Sequence, residues 1–194
     1  MPKIVDRELQ RKAIRSAARS VFARRGVEAA GLVHVARVAK IGRASNYHYY
    51  PDKASLVRDL VRDLLAEEEA FFSEALRSVR GSPLERIESL AAKLTELFAD
   101  WARLGKMLLD LWATSGAMFR PFFRRIRGDL AQLIAAGQRT GEIDRNVEAG
   151  EAATAVIAII DGVLLQMIVD RAAFGEAAAT RRLLVRSVRR ILQP

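Results

Sequence analysis

Between residues 43 and 53 the chain reads RASNYHYYPDK, and Arg43, Ser45, Asn46, Tyr47 and His48 are crowded into a turn and a half. That set of donors and aromatic rings suits base edges and phosphate oxygens and is ill suited to a core. Lys53 opens the next helical stretch, where a helix N-terminus already favours phosphate. Catalysis has no comparable foothold. There is no cysteine, the two histidines are His34 and His48, and G-x-S-x-G, G-x-G-x-x-G and H-E-x-x-H are all absent. With neither histidine nor cysteine in the long remainder of the chain, no metal site and no cofactor are expected, and the chain reads as a non-enzyme.

The charge points to the same segment. The chain has 194 residues and a formal net charge of +9, and residues 1–50 hold eleven lysines and arginines against three acids. Nearly all the surplus therefore lies in the first quarter, as it would if a polyanion-binding module preceded a nearly neutral body. The competing reading is a basic face without specificity, with Arg7, Arg11, Arg15 and Arg19 lying along nucleic acid or an anionic membrane. At 51% hydrophobic residues the chain is globular, and without cysteine it is no disulfide scaffold or zinc finger. The first twenty residues lack the apolar run of a secretory signal, so a cytoplasmic protein is expected. Ala152 to Val169 is apolar enough to raise the membrane question. Asp161 at its centre would cost roughly 3 kcal/mol at mid-bilayer, so a buried helix and no membrane partner are expected.

The elements that would position these residues follow from apolar periodicity. Leu9, Ala13, Ile14, Ala17, Val21 and Phe22 recur at three and four, predicting an amphipathic helix over 6–25 that ends at Gly26. A short helix through Leu32, Val35, Ala36 and Ala39 and another from Arg43 to Tyr50, stopped by Pro51, come next. Asp52 caps a long helix over 53–79. Ser82, Pro83 and Glu85 spell a capping box for another over 83–104. Further helices are predicted over 106–115, 119–140, 148–170 and 176–192. No stretch alternates as a strand does, so the fold class is all-α, with about nine helices.

Two short helices joined by a tight turn, behind a longer one and inside the basic quarter, make a helix-turn-helix arrangement. The second is about 10 Å long and fits end-on into a major groove about 12 Å wide. Residues 11–58 resemble the DNA-binding domain of TetR-type transcriptional regulators through Ala17–Ala18, Phe22, Gly26, Val35–Ala36, Ala39, Ile41, the Tyr47–His48–Tyr49–Tyr50 run, Lys53 and Leu56. The resemblance implies a DNA-binding domain over 1–52 and a helical ligand-binding and dimerisation domain over 53–194. It places Arg43, Ala44, Ser45, Asn46, Tyr47 and His48 in the recognition helix and makes Lys53 a phosphate contact. The chain departs from the family at Ala30–Gly31, where a small hydroxyl cap is usual, at Lys40 for Gly, at Gly42 for Ser and at Asn46 for an apolar residue. A left-handed turn at Lys40 would cost on the order of 1 kcal/mol. Gly42 is the alternative site for it.

In the body, Leu109 to Asp170 is similar to effector domains of TetR-type subgroups, the BetI-like one among them. It implies a ligand-released repressor whose last two helices pair with a second copy of the chain. The nearly all-apolar 152–169 helix agrees, and Val163, Met167, Leu184, Val188 and Ile191 are the expected dimer contacts. Phe98, Trp101, Met107, Leu111, Trp112, Phe119 and Phe122 concentrate the aromatic and sulfur side chains, with Asp110 and Asp161 as candidate anchors, and form the expected pocket for a small, largely apolar effector. Core filling is the competing role for each of them. The reading is thus a homodimer that binds double-stranded operator DNA. The alternative is a helical protein binding nucleic acid or anionic membrane without specificity.

Overall fold

The computed structural model describes the backbone of residues 2–78 and 80–193 and the side chains of 7–75, 80–97 and 101–193. Every regular element among the described residues is helical: α1 (Pro2–Arg25), α2 (Leu32–Val38), α3 (Arg43–Tyr49), α4 (Lys53–Ser78), α5 (Pro83–Arg103), α6 (Gly105–Thr140), α7 (Ala149–Val169), a 3-10 turn (Arg171–Phe174) and α8 (Ala177–Leu192). The helices expected over 106–115 and 119–140 are continuous as α6. Their boundary survives as a break at Ser115 (φ −127°, ψ 19°), with Pro121, which has no N–H to donate, shortly after it.

The predicted punctuation is built as chemistry. The backbone N–H of Ser55 bonds Asp52 Oδ1 at 2.6 Å, capping α4. At α5 both arms of the capping box close: the Ser82 N–H bonds Glu85 Oε2 at 2.9 Å, and the Glu85 N–H bonds Ser82 Oγ at 3.3 Å. Glu148 caps α7 by accepting from the Gly150 and Glu151 N–H groups, which hold its carboxyl below the usual range. Between α6 and α7, Gln138 Nε2 donates to the Asp144 and Val147 carbonyls at 2.9 and 2.7 Å. Gly137 lets Ile143 pack closely there, since a Cβ would lie 2.6 Å from Ile143 Cδ1 and push that side chain aside.

The chain forms two compact units, Met1–Ala66 with Arg103–Phe119, and Glu67–Ala102 with Arg120–Pro194. The expected boundary after residue 52 is not where the packing divides. The first part of α4 and the segment of α6 before and just past its break group with the basic quarter, and α4 and α6 each contribute residues to both units. In the first unit the core is Ile14, Ala18, Phe22, Val35, Leu56, Val61, Met107 and Leu111. The second packs Ile87, Leu94, Ile134, Ile143, Leu184 and Val188.

Candidate nucleic-acid interface

The recognition segment stands on a polar foundation. α3 has seven residues, too few to be stable alone, and its one buried residue is Asn46. Fully enclosed, Asn46 donates from Nδ2 to the Leu32 carbonyl at 2.9 Å, tying the middle of α3 to the start of α2. Asn46 is therefore a packing residue and not the DNA contact that its place in the motif suggested. The amide's Nδ2 is bonded in this way, while its buried Oδ1 has no hydrogen-bond partner among the described residues. Around it Arg43, Ala44, Ser45, Tyr47 and His48 are all exposed, Tyr47 by 44%, and the His48 and Tyr49 rings meet edge to face at 5.6 Å.

The departures from the usual helix-turn-helix pattern resolve locally. Lys40 takes the left-handed conformation itself, at φ 56°, while Gly42 is extended (φ −61°, ψ 147°) as the N-cap of α3. At α2 the missing hydroxyl cap is offset from the other side, because His34 Nδ1 accepts the Gly31 N–H at 3.0 Å.

Tyr50, wholly buried at the end of α3, links this segment to α4. Its hydroxyl donates to Asp59 Oδ2 at 2.7 Å, and the same carboxylate takes Arg11 and Arg15 at 3.3 Å each, with Arg62 on Oδ1 at 3.0 Å. Arg15 also pairs with Asp63 and with Glu8, and the Arg11 guanidinium lies 5.0 Å from the centre of the Tyr50 ring. Burial alone would raise the Asp59 carboxyl. The Tyr50 hydroxyl and the Arg11 and Arg15 guanidiniums outweigh it and hold the group below the usual carboxylate range. Half of the arginine stripe that suggested a membrane or nucleic-acid face is thus spent inside the protein. The residues missed in the sequence are Asp59 and Asp63, whose four-residue spacing matches that of Arg11 and Arg15 on the facing helix.

Lys53 is also engaged, its ammonium donating to the Val27 and Glu28 carbonyls at 3.1 and 3.0 Å. Asp110, expected to anchor a ligand, accepts the Val27 N–H on Oδ2 at 2.7 Å. The aromatic set divides between the units: Met107, Leu111, Trp112 and Phe119 lie in the first and Trp101 and Phe122 in the second, while the Phe98 side chain lies outside the described residues. Met107 and Leu111 are fully buried. Phe122 joins Phe72 and Phe123 in an edge-to-face chain, with centroids 5.9 and 5.4 Å apart. Asp161 is half-buried on α7, and burial pushes its carboxyl up to about 6. A groove of about 590 Å³ between α5 and α8 is lined not by aromatics but by Glu85, Glu88, Arg181, Arg182, Arg186 and Arg189.

The expected dimer residues divide as well. Leu184 and Val188 are completely enclosed in the chain's own core, together with Thr180 and Leu192, and Val163 is 8% exposed. Met167 and Ile191 are half-buried. Four-residue spacing along α8 made the stripe that seats the helix on its own unit. Leu183 lies about 100° round the helix from it, and Leu183, Leu165 and Val169 are the large apolar side chains that α7 and α8 leave exposed.

Comparison with known proteins bears on both halves. Residues 14–60 match the TetR-family description of bacterial regulatory proteins, and residues 83–193 match the C-terminal region of BetI-type transcriptional repressors. The transcriptional regulator BetI of Paraburkholderia phytofirmans is 25% identical over 183 residues, 93% of each chain. The transcriptional repressor BepR of Brucella suis is 25% identical over 163 residues, 79% of this chain and 78% of its own. A transcriptional regulator from Rhodococcus sp. Rha1 shares the fold with a TM-score of 0.79 at 23% identity, over 94% of this chain and 96% of its own. With its helix-turn-helix built on Asn46 and Tyr50 and its body matched from residue 83 onward, the chain belongs to the TetR family of DNA-binding transcriptional regulators.

Proposed function

We propose that this chain is a cytoplasmic repressor that binds a near-palindromic operator as a homodimer and is released when a small, largely apolar molecule occupies its body. The observation that carries the reading is the exposed face of α3, where Arg43, Ala44, Ser45, Tyr47 and His48 stand clear while Asn46 and Tyr50 lock the helix from behind. Repression is supported by the BetI-type repressor region and by the name of the Brucella relative. The second copy is supported by α7, of whose most apolar window only 39% is buried, and by Leu165, Val169 and Leu183 beside it. α7 is long and apolar enough to cross a membrane, yet it packs Val156, Ile160 and Leu164 inward and contacts α8, so we read it as a core and interface helix. The apolar character of the effector rests on the aromatic chain through Phe72, Phe122 and Phe123.

The test is binding of the purified chain to its own upstream DNA and to a scrambled duplex at physiological salt, with and without extracted metabolites. Specific, salt-sensitive binding that a metabolite fraction weakens is the expected result. Equal affinity for the two duplexes overturns the reading.

A further inference from the structure

We infer that Asp110, well outside the helix-turn-helix in sequence, is a positioning residue for DNA binding: with Lys53 it holds the turn between α1 and α2 and so sets where the recognition segment lies. The inference rests on the family's DNA-binding role and adds a residue to it. α1 ends at Gly26, where φ is +78° and the N–H returns to the Phe22 carbonyl at 2.8 Å. Both backbone groups of the next residue are then taken by charged side chains of opposite sign. The Val27 N–H donates to Asp110 Oδ2 at 2.7 Å, and the Val27 carbonyl accepts from Lys53 Nζ at 3.1 Å, with the Glu28 carbonyl accepting from the same ammonium at 3.0 Å. Such charge-assisted bonds are stronger than neutral ones.

The fit around the turn is close. A Cβ on Gly26 would lie 2.7 Å from Asp110 Oδ2 and 2.7 Å from Lys106 Cε, so the glycine serves the approach of α6 as well as the left-handed turn. Val27 and Ala30 are buried, and the turn runs directly into Gly31 and Leu32. There His34 takes the Gly31 N–H and Asn46 of α3 takes the Leu32 carbonyl. Hydrogen bonds thus hold both ends of the turn, Asp110 and Lys53 at Val27 and Glu28 and His34 and Asn46 at Gly31 and Leu32, with the buried Ala30 between them. Asp110 lies in the part of α6 before the Ser115 break, which packs in the same unit as the helix-turn-helix.

Charge alone makes the opposite forecast. A carboxylate near a DNA-binding surface repels phosphate, so if Asp110 were a bystander its neutralisation would tighten DNA binding at every sequence. As a positioning residue, its loss weakens binding to the preferred sequence only. The experiment uses the full chain and a duplex that the wild type selects from a randomised pool, with a scrambled duplex as control. Asp110→Leu should weaken the selected duplex about tenfold and change the scrambled one less than twofold. Asp110→Asn, which keeps an acceptor oxygen, should recover most of the loss. Lys53→Met, which also removes a positive charge, should weaken both duplexes but the selected one more, and the double variant with Asp110→Leu should lose little selectivity beyond the larger single effect, because both act on one turn.

Tighter binding of both duplexes by either Asp110 variant, unchanged binding by Asp110→Leu, equal loss on both duplexes, or independent multiplication of the two effects overturns the inference. Should Asp110→Leu fail to fold, hydrogen exchange in the wild type decides: a protected Val27 amide supports the clamp, and one exchanging at the rate of free chain overturns it. A wild type that selects no sequence strikes the regulator reading itself, whereas selection with an indifferent Asp110→Leu strikes this inference alone.

Discussion

α3 and the α7–α8 hairpin are held in place by opposite means. α7 turns Ala152, Ala153, Val156, Ile157, Ile160, Val163 and Leu164 inward and α8 adds Leu184, Val188 and Leu192, so apolar area does the work. α3 buries Asn46 alone and ends on the buried Tyr50, and its position is set by hydrogen bonds and ion pairs reaching Leu32, Asp59, Arg11 and Arg15. The difference follows from what each face is for. A seven-residue helix with one whole side exposed has little apolar surface left to bury, and its orientation is fixed by polar bonds instead. A long helix in the body has area to spare and leaves some of it exposed.

The sharpest way to break this comparison is on α8. Leu184→Asp places an unpaired carboxylate at a fully enclosed site and should cost about 5 kcal/mol, enough to unfold the chain. Leu183→Asp, one residue along but exposed, should leave the fold intact and dissociate the proposed homodimer. Thermal unfolding with sedimentation separates them; a folded Leu184→Asp protein or a dimeric Leu183→Asp protein contradicts the assignment of core and interface.

Next in size is the hub of the polar region. Asp59→Ala removes the shared acceptor of Arg11, Arg15 and the buried Tyr50 hydroxyl, with Arg15 keeping Asp63 and Glu8, and should lower the unfolding free energy by roughly 2 kcal/mol in urea titration. Because the folded carboxyl is held below its ordinary value of 3.8, its contribution is fully present above that pH and disappears as the pH falls through the lower, folded value. The gap between wild type and Asp59→Asn should therefore close in acid. A gap independent of pH would show that the ionised carboxylate is not what stabilises α3.

Asp161 in the apolar region has the reverse sign. Its carboxyl is raised from 3.8 to about 6, so the folded chain favours the protonated form, and that stabilisation is present below about 4 and lost as the pH rises through about 6. Asp161→Asn should raise stability at pH 7.5 by about 2 kcal/mol and flatten the profile between pH 4 and 7. Unchanged stability at pH 7.5 would mean that a partner copy or a ligand already satisfies the charge. The smallest effect belongs to the turn: Lys40→Gly removes a left-handed lysine at φ 56° and should stabilise the headpiece by about 0.5–1 kcal/mol, read from the denaturation midpoint.

Much of this molecule is written in local sequence. Helix boundaries at Gly26, Pro51, Asp52 and Ser82–Glu85 depend on φ preferences and on side chains that reach backbone groups two or three residues away, so they are legible without the fold. The exposure of Arg43, Ser45, Tyr47 and His48 was legible in their residue types, but the burial of Asn46 beside them was not. Nor were the roles that distance decides. Asn46 looked like a reader of bases until α2 supplied the Leu32 carbonyl for its amide. Arg11 and Arg15 belonged to a basic stripe until α4 brought Asp59 and Asp63 against them. Asp110 was a candidate ligand anchor until the turn 83 residues earlier donated its N–H. On α8, periodicity marked the apolar stripe through Leu184 and Val188 but could not say whether its own unit or a second copy would cover it.

By itself, then, the sequence determined the helices, their caps and the chemistry of the exposed α3 face, because each rests on interactions spanning a turn or less. Which polar groups remained free for a partner was decided by tertiary structure alone, because a side chain is spent or available according to what the fold sets within about 3 Å of it.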